Sequence, residues 1–238
     1  MRAISRPVTQ IAGSVRAPGD KSCSHRAVMM AAVAAGESTV TGLLEGEDVI
    51  NTAKAVQALG VGVERTGPGA WTIAGVGAKG FSSPQGDLDF GNSGTGARLM
   101  MGLVGGHAVS ARFVGDASLS SRPMERVLKP LREMGVGAET APGGRLPALI
   151  RGGNLKAIRY APPEASAQVK SAIMLAGLRA DGVTIVEEKE ATRDHTERML
   201  RAFGVEVGVE ERGAGGPSVS VRGGQMLKAL KAEVAGDP

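Results

Sequence analysis

Three stretches of the chain carry apolar residues at three- and four-residue spacing and then stop at a glycine: "DVINTAKAVQALG", "MERVLKPLREMG" and "DHTERMLRAFG". That period puts the apolar side chains on one face of an α-helix, and Gly60, Gly135 and Gly204 suit the position just past a helix end, where the backbone turns left-handed. An alternating strand follows each helix, and beyond a Gly/Pro turn comes another: "AWTIAGVG", "LPALIRGG" and "PSVSVRGG". Upstream, each unit opens with a Gly/Ser-rich turn, "PGDKSCSHR", "GNSGTGARL" or "PPEASAQVK". The turn feeds a helix that is apolar nearly all round, "RAVMMAAVAAG", "RLMMGLVGG" or "SAIMLAGL", and then a β-rich phrase, "STVTGLL", "AVSARFVG" or "VTIVEEKE".

The pattern is therefore turn, helix, strand, helix, strand, strand, repeated three times at about 70 residues. The copies run over about 16–90, 91–160 and 161–224 and nearly fill the chain. A unit this long does not suit a thin solenoid, so the expected fold is an α/β domain in which three units close around shared inner helices. The second, charged helix of each unit is expected to face water.

Composition sharpens the picture in three ways. Of the 238 residues 42% are hydrophobic but only 3% aromatic, so a core exists and is built from Ala, Val, Leu, Ile and Met. The net charge is +4, yet the basic residues are scattered and lack interleaved aromatics, which argues for small anionic ligands and against nucleic acid. The single Cys23 excludes an internal disulfide and fits a reducing cytoplasm, and no CxxC pair or HExxH marks a metal site. Residues 1–15 lack a continuous signal-peptide core, and no run approaches the ~18 apolar residues of a membrane span. A soluble cytoplasmic protein with no membrane partner is expected.

The three inner helices share a chemistry at their starts. Each begins with Gly or Pro, then Ser, Asn or Thr, with a basic residue in or near the first turn. Helix starts expose N–H groups and a partial positive charge, so three on packed helices make an anion site. Dipoles alone supply roughly 0.3–2 kcal/mol each, against about 8 kcal/mol for micromolar affinity. Lys21, Arg26, Arg122 and Arg193, at about 1.5–3 kcal/mol per charge-assisted hydrogen bond, close the gap.

Taken singly, Ser22, Ser24, Asn92, Ser93, Thr95 and Ser166 read as helix caps. Together, with Arg122 and Arg193 at equivalent points of successive units, they point to a ligand. Cys23 reads as a small packing residue, Trp71 as core, and His25 and His195 as packing or surface residues without a visible relay. "GNSGTGAR" lacks the spacing of a dinucleotide fingerprint.

The phrases "PGDKSCSHR", "GNSGTGARL", "GDASLSSRPM", "SAQVKSAIMLAGL" and "TRDHTERML", in this order, resemble the amino-terminal half of the 5-enolpyruvylshikimate-3-phosphate (EPSP) synthase family of enolpyruvyl transferases. The resemblance covers essentially the whole chain. It implies one domain of a two-domain inside-out α/β barrel, with helix starts aimed at a cleft that holds shikimate 3-phosphate and phosphoenolpyruvate. It implies no cofactor and no metal.

By matching motif, Lys21 would contact both substrates and assist proton transfer, and Ser22 and Arg26 would hold the carboxylate side of shikimate. Ser166, Ala167 and Gln168 would grip the shikimate phosphate and ring, and Arg193 would add a further phosphate contact. Gly94 and Arg122 would line the phosphoenolpyruvate pocket, where a glycine implies glyphosate sensitivity. Many members have Arg-Pro where this chain has Arg98-Leu99, and some have Ser and Tyr where it has Thr192 and His195.

The resemblance further implies that residues 1–15 belong to the second domain and that 16–234 form the substrate-binding domain. Residues 235–238 would begin the crossover to that absent carboxy-terminal half, which carries the remaining acid–base groups, so this chain alone is expected to be inactive. Two other readings are a non-catalytic anion-binding module and half of a transferase acting on UDP-N-acetylglucosamine.

Overall fold

A computed structural model describes residues 12–213 and 215–237, together with residues 4, 7, 9 and 10. The first unit runs α1 (Lys21–Val33), β1 (Ala35–Thr41), α2 (Glu47–Ala58), β2 (Gly62–Gly67), β3 (Ala70–Val76), and ends on the short β4 (Leu88–Asp89). The second runs α3 (Gly94–Gly105), β5 (Ser110–Val114), the single turn α4 (Ala117–Ser120), α5 (Glu125–Met134), β6 (Gly137–Ala141), β7 (Arg145–Arg151), β8 (Leu155–Lys156) and β9 (Arg159–Tyr160). The third runs α6 (Ala167–Gly177), β10 (Ala180–Asp181), β11 (Val183–Glu187), α7 (His195–Ala202), β12 (Val207–Glu210), β13 (Ser218–Arg222) and β14 (Lys231–Glu233). None of the described helices is long and apolar enough to cross a membrane.

Each unit builds a four-stranded sheet of the same order: β14-β1-β3-β2, β4-β5-β7-β6 and β9-β11-β13-β12. The last three strands of each are antiparallel and local, as the alternating phrases predict. The first strand of each is parallel and comes from the preceding unit, because β4 joins β5, β9 joins β11, and β14 returns to β1. The last unit thus closes on the first, which makes the arrangement a ring. These linking strands are two or three residues long, too short to show a period in the sequence.

The inner helices lie within the ring, as their all-round apolarity requires. In α1 every residue from Ser24 to Val33 is buried, and Leu99, Met100 and Met101 of α3 and Ile173 and Leu175 of α6 are sealed from solvent. Each such side chain contributes about 1.5–3 kcal/mol of burial. Small residues let the backbones touch: a Cβ on Gly102 would stand 2.2 Å from the carbonyl oxygen of Ala172. The outer helices end as expected, with Gly60, Gly135 and Gly204 at φ of +93°, +111° and +83°.

Of the amino-terminal segment, residues 1–3, 5, 6, 8 and 11 lie outside the described residues, and the described remainder of 1–15 carries no strand. The chain enters α1 beside its own other end, with Asp20 N donating to Ala235 O and Asp237 N to Pro18 O. Pro238 lies outside the described residues.

Candidate functional site

Side chains in the first turns stitch the three inner helices together, so the helices start side by side and point the same way. Gln168, second residue of α6, donates from Nε2 to Thr95 Oγ1 in the first turn of α3 (2.9 Å) and accepts from Arg98 Nη1 (3.3 Å). His25 of α1 lies between Thr52 Oγ1 of α2 at 2.8 Å and Ser93 Oγ, the cap of α3, at 3.3 Å. Arg26 of α1 donates to Ser171 Oγ of α6 (2.8 Å) and to Thr196 Oγ1 of α7 (2.7 Å). The convergence expected from the repeats is present.

The charge distribution at these starts is one-sided. None of α1, α3 and α6 has an acid in its first turn, whereas α2 has Glu47 and Asp48, α5 has Glu125 and α7 has Glu197. Among the described residues, no carboxylate lies within salt-bridge distance of Arg26, Arg98, Arg122 or Arg193. Burial lowers the pKa of both Arg26 and Arg98, and neighbouring cations add to it, Arg193 for the first and Arg126 and Arg122 for the second. For Arg26 the charges of Glu197 and Asp20 oppose this, so it is Arg98, part-buried between Arg126 and Arg122 with no carboxylate acting on it, that most lacks a negative partner.

Gly94 sits at the centre of one cluster. A Cβ there would lie 2.8 Å from Arg98 Nη1 and 3.4 Å from Arg122 Nη1, so the bare backbone of α3's first residue faces two guanidinium groups. Arg122 is aimed by Asn92, whose Oδ1 accepts from Nη2 at 2.6 Å, and by Ser118 Oγ at 3.0 Å. Ser166 caps α6 through Val169 N, and Ala167 O accepts from Ser171 Oγ. Lys21 is exposed and turned to Asp48 of α2 at 3.0 Å, an exposed pair worth at most about 1 kcal/mol. Ser22 gives its backbone oxygen to Arg26 Nη1. Arg193 is exposed on the loop before α7, close enough to Asp20 and Arg26 to act on both through charge.

Of the six residues expected as caps, two cap an inner helix and four do not. Ser93 and Ser166 cap α3 and α6, but α1 is capped by Asp20, whose Oδ1 accepts from Cys23 N at 2.6 Å. Ser24 instead accepts from Leu44 N, and Ser22, Asn92 and Thr95 cap no inner helix. Burial pushes the Asp20 carboxyl up, but the Cys23 hydrogen bonds and the charges of His195 and Arg193 outweigh it and hold it low. One helix start of the three therefore carries a carboxylate. Cys23 is half-buried against the core, and burial, then Asp20, raises its thiol to about 11.

Several participants escaped the sequence reading. Arg98 shapes the Gly94 cluster, and Thr196 and Ser171 hold Arg26. On α6, Lys170 is buried between Glu188 (2.8 Å) and Glu197 (2.6 Å). Glu188 also accepts from Thr192 N and Oγ1, which ties down the loop that bears Arg193. A recurring serine or glycine signals a helix start, but nothing in the local pattern marks a charged residue as buried.

Comparison with known proteins bears on this geometry. The family model for EPSP synthase (3-phosphoshikimate 1-carboxyvinyltransferase) matches residues 5–238. A 3-phosphoshikimate 1-carboxyvinyltransferase of Hyphomonas neptunium is 57% identical over 235 residues, covering 98% of this chain and 54% of the relative; one of Maricaulis maris is 56% identical, covering 100% and 52%. The solved structure of EPSP synthase from Acinetobacter baumannii superposes with a TM-score of 0.87 at 49% identity, covering 93% of this chain and 49% of that one. The chain spans about half the length of the relatives it matches. Three repeats closed around acid-poor helix starts, matched from residue 5 to the last by one family model, belong to the EPSP synthase family.

Proposed function

We propose that this chain supplies the shikimate 3-phosphate site and one wall of the phosphoenolpyruvate site of a 3-phosphoshikimate 1-carboxyvinyltransferase, and that turnover requires a second domain. The observation that carries this reading is the surplus of Arg26, Arg98, Arg122 and Arg193, without salt-bridged carboxylates, at three converging helix starts whose first turns hold no acid. Phosphate and carboxylate groups are the ligands that such donors fit.

In this reading Ser166, Ala167 and Gln168 hold the phosphate and ring of shikimate 3-phosphate, with Arg193 on the phosphate and Ser22 and Arg26 on the carboxylate side. Gly94 and Arg122 border phosphoenolpyruvate, the glycine leaving room beside Arg98 and Arg122 where a Cβ would stand, and the Arg122 guanidinium set by Asn92. The shikimate 5-hydroxyl adds to the enolpyruvyl carbon while the methylene carbon takes a proton, and phosphate then leaves the tetrahedral intermediate. Lys21 opens α1, and on leaving Asp48 it reaches both substrates and shares in the proton transfers. Addition and elimination need a positioned donor and acceptor, and the second comes from the other domain.

The test is reconstitution. The chain, mixed with a separately produced polypeptide covering the rest of a relative, is supplied with shikimate 3-phosphate and phosphoenolpyruvate, and phosphate release is followed. Turnover by the mixture and none by the chain alone is expected. No turnover by a folded, associated mixture, or turnover with UDP-N-acetylglucosamine in place of shikimate 3-phosphate, overturns the reading.

A further inference from the structure

We propose that Asp20, Cys23 and His195 form a zinc site at the junction of α1 and α7. A carboxylate oxygen, the Cys23 sulfur and a ring nitrogen of His195 all lie within 4.8 Å of one another. Around a tetrahedral zinc ion such atoms stand about 3.3–3.6 Å apart, so movements of about 1 Å at side-chain ends complete the shell.

The donors are held in place by bonds that owe nothing to an ion. Asp20 and Cys23 are three positions apart and share one face of the α1 start. Asp20 is pinned through its backbone to Ala235, and His195 opens α7, whose next residue, Thr196, accepts from Arg26 of α1. The donor set is thiolate, imidazole and carboxylate, the mixture that suits zinc over magnesium or calcium, and three protein ligands leave a fourth position open to water. Arg26 and Arg198 act on Cys23, and Arg193 on Asp20, all against a cation. Asp20 is already ionised and Cys23 gives up one proton to solvent on binding, so loading with a dication takes the three ligands from a net charge of −1 to 0 and adds one positive charge to that surround.

The site adjoins the proposed anion site, sharing the α1 start with Lys21 and Ser22, but its test uses no phosphorylated ligand. The metal-free 238-residue chain is titrated with Co²⁺ and then Zn²⁺. One equivalent of Co²⁺ is expected to give a thiolate-to-cobalt charge-transfer band and tetrahedral visible bands, which Zn²⁺ abolishes with proton release. Cys23→Ser, His195→Asn and Asp20→Asn, the last retaining a capping oxygen, each weaken binding by about tenfold or more, a loss that even an outer-shell partner's removal can reach. A cobalt complex without a thiolate band, or Zn²⁺ affinity unchanged in Cys23→Ser and His195→Asn, overturns the proposal. If a variant fails to fold, the band in the unaltered chain decides.

Discussion

Mild acid destabilises this chain through His25. The ring is sealed from solvent and spans α2 and α3 through hydroxyls on both nitrogens, an arrangement that the neutral form satisfies. Burial first, and then the charges of Lys21 and Arg26, lower its pKa to about 4 against the opposing pull of Asp48. The unfolded chain, with an ordinary value of 6.5, binds the proton more tightly. Stability from this residue is therefore complete above pH 6.5 and is lost as the pH falls toward 4. Between pH 7 and pH 5 the loss comes to about 2 kcal/mol. His107, lowered to about 4 by burial and Arg179, adds a similar loss. Urea unfolding at the two pH values compares the unaltered chain with His25→Gln, which cannot take the charge. The variant's pH dependence is expected to be smaller by about 2 kcal/mol. Equal pH dependence in the two proteins would refute a neutral, buried His25.

Other substitutions separate packing from charge. Gly102→Ala sets a methyl group against the Ala172 backbone, where neither helix can yield, and costs about 1–3 kcal/mol or more in calorimetric unfolding. Lys170→Met strands Glu188 and Glu197 and costs about 3–5 kcal/mol; adding Glu188→Gln and Glu197→Gln recovers most of it if the loss is electrostatic. Gly94→Ala meets the movable end of Arg98, so its unfolding free energy changes by less than about 1 kcal/mol. The reconstituted enzyme is expected to be inhibited by glyphosate, and Gly94→Ala to relieve that inhibition; equal inhibition of both would refute the role given to this glycine.

What the sequence made legible depends on the range over which each feature is decided. The outer helices, their terminal glycines and the hairpins after them are local, and Gly60, Gly135 and Gly204 marked them at one glance. The all-apolar phrases correctly named the helices that the ring encloses. The closing strands β4, β9 and β14 were not legible, because their pairing is made by the next unit and their length shows no alternation. In "GDKSCS" three residues could cap α1, and the backbone contact of Asp20 with Ala235, from the far end of the chain, accompanies the choice of Asp20. Lys21, Arg26, Arg122 and Arg193 were visible as cations, whereas Arg98, Lys170 and Glu197 acquire their setting only from tertiary contacts. The Asp20, Cys23 and His195 grouping joins distant segments and follows no spacing rule.

The measurement that bears most directly on the account is an amide-resolved NMR titration of this chain alone with shikimate 3-phosphate. Saturable shifts are expected together at Ser22, Thr95 and Gln168, one residue from each inner-helix start, fading as salt is raised. Shifts at a single start, or none at millimolar ligand, would contradict a shared phosphate-binding centre.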